Sequence, residues 1–158
     1  LEFKIKKMKR LLVVICVLLA GLQGMSQDLE KRADGYYQHG ELFTGTQQIT
    51  YENGQLKSLR TFVLGREDGI SVYYFANGSQ KEQRAWMKGL KHGTWITWNE
   101  AGLKTAEANY ENDKKHGKWF IWDENKVLRY EMNYVEGEKT GTWFMWDETG
   151  KLIDEKKY

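Results

Sequence analysis

Glycines stand at Gly45, Gly69, Gly93, Gly117 and Gly141, a constant 24 residues apart. A second series, Gly54, Gly78, Gly102 and Gly150, keeps the same frame with Lys126 in place of one member. A third column is aromatic throughout: Phe62, Trp86, Tyr110, Tyr134 and Tyr158. Three columns in one frame specify a repeat array, in which each unit is a supersecondary piece that buries its apolar side only against its neighbours.

Each unit reads as a β-hairpin. "WFIWD" (Trp119 to Asp123) and "VLRYEMNY" (Val127 to Tyr134) are rich in aromatic and β-favouring residues and flank a short polar break. Asn53-Gly54 and Asn77-Gly78 are strong hairpin signals of the two-residue type I′ class, in which both loop residues need positive φ. Ala101-Gly102, Asn125-Lys126 and Thr149-Gly150 hold the same place with weaker turn chemistry.

A two-residue loop fixes the register, and the register fixes which side chains share a face. With Asn125-Lys126 as the loop, Trp119 falls opposite Met132, Ile121 opposite Tyr130, and Tyr134 beside Gly117. That face is apolar. On the other face Phe120 and Trp122 sit with Arg129, Glu131 and Asn133. The preceding unit divides the same way, with Trp95, Ala106, Ala108 and Tyr110 on one side and Ile96, Trp98, Glu107 and Asn109 on the other. In each pair, therefore, Trp95, Trp119 and Trp143 belong to an apolar ladder, and Trp98, Trp122 and Trp146 to an amphipathic face.

Hairpins paired edge to edge, about ten strands at ~4.8 Å, give an all-β, elongated, single-layer twisted antiparallel sheet roughly 45–50 Å long. Gln47 and Ser71 replace the ladder tryptophans in the first units, which suits an N-terminal cap. The expected organisation is a cap segment over residues 27–44 and the array over 45–158, preceded by a different kind of sequence.

Residues 1–26 read as an export signal. Lys4, Lys6, Lys7, Lys9 and Arg10 precede the apolar run "LLVVICVLLAGL", and Gly24-Met25-Ser26 offers small residues at a cleavage site, so the mature chain is expected to begin at Gln27. That run is shorter than the ~20 residues of a membrane-spanning helix. Cleavage would remove five of 24 basic residues and one of 22 acidic ones, turning a net charge of +2 into 19 against 21, or −2. The basic excess that would favour nucleic acid belongs to the signal, and no nucleic-acid role is expected. Cys16 leaves as well, and with it any disulfide, thiolate or cysteine metal site in the mature chain.

The hairpin residues resemble the bacterial MORN-repeat variant family, which includes YwqK-type antitoxin-like proteins. The resemblance is carried by "YENGQLKS" (Tyr51 to Ser58), "FTG" (Phe43 to Gly45), and the recurring Gly-x-Trp and aromatic-x-x-Gly patterns over residues 36–158. It implies stacked hairpins and a non-catalytic role in protein or membrane association.

The chemistry-bearing residues add little to that. His39, His92 and His116 each precede a glycine and read as solvated turn residues, because His92 and His116 lie two strands, roughly 10 Å, apart. A shared zinc would need both ~2 Å from the ion, so no metal or cofactor is expected. After residue 26 only Ser58, Ser71 and Ser79 remain as serines, none in a nucleophile-elbow pattern, and no phosphate loop appears. Glu107 and Glu131 recur by duplication. No catalytic residue is expected.

The residues with a candidate role in partner binding are Trp98, Phe120, Trp122, Phe144 and Trp146, where rings alternate with polar groups as at protein interfaces. The functional expectation is an exported, extracytoplasmic binding or scaffold module for a protein partner, with a membrane surface or glycan as further partner classes. The alternative is an antitoxin-like neutraliser of a toxin.

Overall fold

The computed structural model describes residues 28–158. The segment expected to be an export signal, residues 1–26, lies outside them. Five hairpins follow one another along a single antiparallel sheet: Gly45–Thr50 with Leu56–Val63, Gly69–Tyr74 with Gln80–Met87, Gly93–Trp98 with Lys104–Glu111, Gly117–Trp122 with Leu128–Val135, and Thr142–Trp146 with Leu152–Lys157. No helix occurs among the described residues. The second strand of each unit pairs with the first strand of the next, as in Ala106↔Ile121 and Tyr130↔Met145, so the ten strands form one open sheet.

The register in the body of each hairpin is the expected one: Trp119↔Met132, Ile121↔Tyr130 and Gly117↔Tyr134. The loop that produces it is different. Gly54 N–H donates to Tyr51 O and Tyr51 N–H to Gln55 O, and only Gly54, at φ 82°, is left-handed. Asn53 and Asn77 are absent from the positive-φ residues, so these loops are not type I′. They are four-residue turns closed by one left-handed residue, the geometry of a type I turn with a glycine bulge. A second irregularity follows at once, where Trp122 pairs with Leu128 and Arg129 is the extra residue. The longer loop and the bulge offset one another, which is why the register survives a wrong loop type. Trp122 consequently stands opposite Leu128 rather than Arg129.

Asn or Asp side chains close these loops. Asn99, Asp123 and Asp147 Oδ1 each accept two backbone N–H groups across the loop; in the first two units, where Tyr51 and Phe75 occupy that place, Asn53 and Asn77 cap the next residue but one instead.

The type I′ turns lie at the opposite margin, between units. Leu64-Gly65, Lys88-Gly89, Asn112-Asp113 and Glu136-Gly137 have positive φ at both positions, and each folds a two-residue strand back on the strand just left, as in Tyr110↔Lys115 and Glu111↔Lys114. Successive turns are tied together: Gly89 N–H donates to Glu67 O, Asp113 N–H to Lys91 O, and Gly137 N–H to Lys115 O. The chain then shifts register by two residues, from Tyr134↔Lys139 to Tyr130↔Met145, with Gly141 at φ 65° inside the shift. A left-handed residue at that bulge explains the column Gly69, Gly93, Gly117 and Gly141.

Strands Glu30–Arg32, Gly35–Gln38 and Glu41–Leu42 make a small separate sheet at the N-terminal end. Tyr36 and Phe43 pack on Phe62, with ring centroids 4.9 and 5.7 Å away, and Phe62 is 1% exposed. Behind this small core Gln47, Ser58 and Ser71 are buried polar residues. Arg60 organises the region by donating to Glu67, Gln47 and Tyr36, while Ser71 Oγ also donates to Glu67. Burial opposes the Arg60 charge, but the Glu67 and Tyr36 hydrogen bonds outweigh it and hold the guanidinium above its ordinary pKa.

Candidate binding surface

The two faces of the sheet treat their aromatic residues differently. On one, Trp86, Trp95, Tyr110, Trp119, Tyr134, Trp143 and Tyr158 form an unbroken series with centroids 4.6–5.3 Å apart and rings tilted or edge-on. This is the separation and tilt at which ring quadrupoles attract. Three of the four ladder tryptophans are also fixed by hydrogen bonds: Trp95 Nε1 donates to Ala85 O, Trp119 to Asn109 O and Trp143 to Asn133 O, while Trp86 Nε1 is buried without such a partner. Gly45, Gly69, Gly93, Gly117 and Gly141 with Trp95, Trp119, Trp143, Tyr110 and Tyr134 thus occupy the framework positions of the repeat.

A second column, not recognised in the sequence, covers the ladder. Lys91, Lys115 and Lys139 recur every 24 residues. Each is carried by a short folded-back strand, and each ammonium lies 4.5–5.1 Å from the centroids of two rings: Trp95 and Tyr110, Trp119 and Tyr134, Trp143 and Tyr158. Their stems shield the rings while the charges stay at the surface. Burial pushes the Tyr110 hydroxyl above its ordinary pKa. Nearer the hairpin loops the same face is open, with Ile121 and Tyr130 each 39% exposed.

On the opposite face the five candidate residues are all partly exposed. Phe120 and Trp122 stack at 5.6 Å with 30° between ring planes, and Phe144 and Trp146 repeat the arrangement at 5.8 Å and 31°. Among the described residues no ring pair joins Trp98 to either couple. Charged groups frame the rings: Lys118 reaches Glu131 at 2.7 Å, Lys104 reaches Glu107 at 2.8 Å and lies 5.6 Å from the Trp122 ring, and Arg129 Nε donates to Trp146 O. An open hollow of about 330 Å³ lies beside Trp122, lined by Gly102, Leu103, Lys104 and Lys126. The sheet sets the two couples two strands apart, with Glu131 on the intervening strand paired to both Phe120 and Phe144.

Two histidines depart from expectation. His92 and His116 are only partly solvated, the His116 side chain being 40% exposed, and their Nδ1 atoms are enclosed without a hydrogen-bond partner. Both border a hollow that also takes in Tyr110 and Glu111.

No curated protein matches the chain in sequence. MORN repeats generally serve as protein- or membrane-binding modules and are non-catalytic. The MORN repeat variant matches this chain at three places, residues 43–63, 115–136 and 139–158, each coinciding with a hairpin of the array, and the hairpins between them continue the same register.

Proposed function

We propose that this chain is an exported, non-catalytic scaffold module at the cell envelope that engages a protein partner through Trp98, Phe120, Trp122, Phe144 and Trp146. The observation that carries the reading is the division of the aromatics between faces. One set is consumed by the ladder, its hydrogen bonds and its lysines; the other is stacked in couples, partly exposed and framed by ion pairs, without a ladder to build. Flat aromatic area with a charged surround is what protein interfaces concentrate.

The decisive comparison is between wild-type and Trp122→Ala chains, each used to recover partners from the envelope of the native host after cross-linking. A protein recovered with wild type and lost with Trp122→Ala, while that chain is still fully folded at the assay temperature, supports the site. Equal recovery by both chains refutes it. Export is tested separately by N-terminal sequencing of the protein from its host: a start at Gln27 supports cleavage after Ser26, and an intact residue 1–26 segment on a cytosolic protein overturns it.

A further inference from the structure

Glu111 ends the second strand of the third unit, His116 precedes the bulge glycine Gly117 of the fourth, and Glu136 stands in the type I′ turn that follows the fourth. The topology brings them together. The Asn112-Asp113 turn folds Lys114 back opposite Glu111, which carries His116 to the same margin, and the hydrogen bond from Gly137 N–H to Lys115 O seats the next turn above it. One ligand atom from each of the three lies within 4.8 Å of the others, and His116 Nδ1 is 3.4 Å from Glu111 Oε2.

We propose that Glu111, His116 and Glu136 form a binding site for a divalent transition ion, with Zn²⁺ the best match, clipping the third and fourth units at their junction. An imidazole with two carboxylates is a borderline donor set suited to such an ion. Ligands at ~2.0–2.2 Å in a tetrahedral arrangement stand about 3.3–3.6 Å apart, which is the spacing His116 and Glu111 already have. Glu136 completes the set by a side-chain rotation. Its partner is Lys114 at 2.9 Å, an ion pair with both side chains 57% exposed, which constrains it weakly.

Two observations separate this cluster from a by-product of duplication. One period earlier the corresponding positions hold Met87, His92 and Asn112, and one period later the first two hold Val135 and Thr140, so the carboxylates are specific to this junction. His92 shares an enclosed Nδ1 without a hydrogen bond but has no carboxylates at the matching positions, whereas His116 Nδ1 has Glu111 Oε2 beside it and coordination there would satisfy the nitrogen. A clip there would join residues 111 and 136 across neighbouring turns and stabilise the assembled C-terminal units by binding only the folded array.

The test is calorimetric titration of the chelator-stripped full chain with zinc chloride, with thermal melts at each added equivalent. The expected result is one saturable equivalent that raises the melting midpoint, is retained by His92→Ala, is weakened at least tenfold by Glu136→Gln and is lost in His116→Ala. Glu136→Gln changes an exposed turn side chain, so it reports on binding even if His116→Ala disturbs folding. Absence of a saturable equivalent, or one indifferent to both Glu136→Gln and His116→Ala, overturns the proposal.

Discussion

Replacing Trp119 and Trp122 separately by alanine tests the division of labour between the two faces. Trp119 sits between Tyr110 at 5.1 Å and Tyr134 at 5.3 Å, donates Nε1 to Asn109 O at 2.9 Å, and lies under Lys115 at 4.5 Å. Two ring contacts at about 0.5–1.5 kcal/mol each, a hydrogen bond of similar size and a cation–π contact of about 0.5–1 place the loss near 2–5 kcal/mol. Because a repeat array is held by nearest-neighbour interfaces, and the contacts to Tyr110 and Asn109 cross from the fourth unit to the third while that to Tyr134 lies within the fourth, the loss falls on one interface and one hairpin and should split the unfolding transition as well as lower it. Trp122 has one ring partner, Phe120 at 5.6 Å, and a more distant lysine, Lys104 at 5.6 Å. The same arithmetic gives about 1–2 kcal/mol. Urea unfolding of the full chain followed by far-ultraviolet circular dichroism reads both. A difference of about 2 kcal/mol is expected, with partner affinity falling by about 1–3 kcal/mol only for Trp122→Ala if that ring is an interface anchor. Equal destabilisation by the two substitutions would refute the argument, since it would make both rows structural.

Three further outcomes follow from particular contacts. Gly102 has φ +75° and no neighbouring atom within 4 Å of where a Cβ would stand, so Gly102→Val should cost about 1–3 kcal/mol through backbone strain alone and Gly102→Asn much less, read as shifts in urea midpoint. Arg60→Ala leaves Glu67, only 12% exposed at its side chain, without its cation; discounted for partial exposure, the expected cost is about 2–3 kcal/mol, and a melting curve unchanged from wild type would contradict it. The Thr149 hydroxyl, with the Lys151 and Thr149 backbone N–H groups, holds the Asp147 carboxyl below its ordinary pKa. Its stabilisation is therefore full above about pH 4 and lost as pH falls through the lower folded value. Protection of the last hairpin loop's amides, taken relative to the intrinsic exchange rate at each pH, should fall over that acid range, and Asp147→Asn should flatten the dependence.

What the sequence disclosed and what it concealed divide along a physical line. Period, hairpin pairing and face assignment were legible because glycine and aromatic columns repeat, and because side-chain alternation leaves only one register with Trp119, Ile121, Tyr130 and Met132 together. Loop type was not. Asn-Gly suits a type I′ turn and a glycine bulge alike, and the choice is made by the Oδ1 atoms of Asn53, Asn77, Asn99, Asp123 and Asp147 gripping the loop N–H groups. The real type I′ turns were hidden by Leu64, Lys88 and Glu136, residues with little intrinsic taste for positive φ that are held there by the bonds between successive turns. Their signal is a fainter 24-residue spacing, between Gly65 and Gly89, which returns at Gly137 after Asp113 takes one place. In the amphipathic row, pairing of Phe120 with Trp122 was legible from their two-residue spacing; Trp98 stands alone because its neighbour at that spacing is Ile96, which offers no ring to stack on.

The lysine column answers a problem that the hairpins alone leave unsolved. A single-layer sheet has no second layer to cover its apolar face, and a row of indoles left in water would attract other chains along its whole length. Here each unit borrows cover from the chain that leaves it: the strand overruns its partner, turns through Asn112-Asp113 or Glu136-Gly137, and lays Lys115 or Lys139 back over the next two rings. The stem supplies apolar contact and the ammonium supplies charge, so one residue per period both stabilises the ladder and keeps its margin soluble. The turn, the overrun and the lysine therefore operate as one device. Among the described residues the amphipathic face has no such return strand, and its stacked couples stay accessible because the repeat folds nothing back across them.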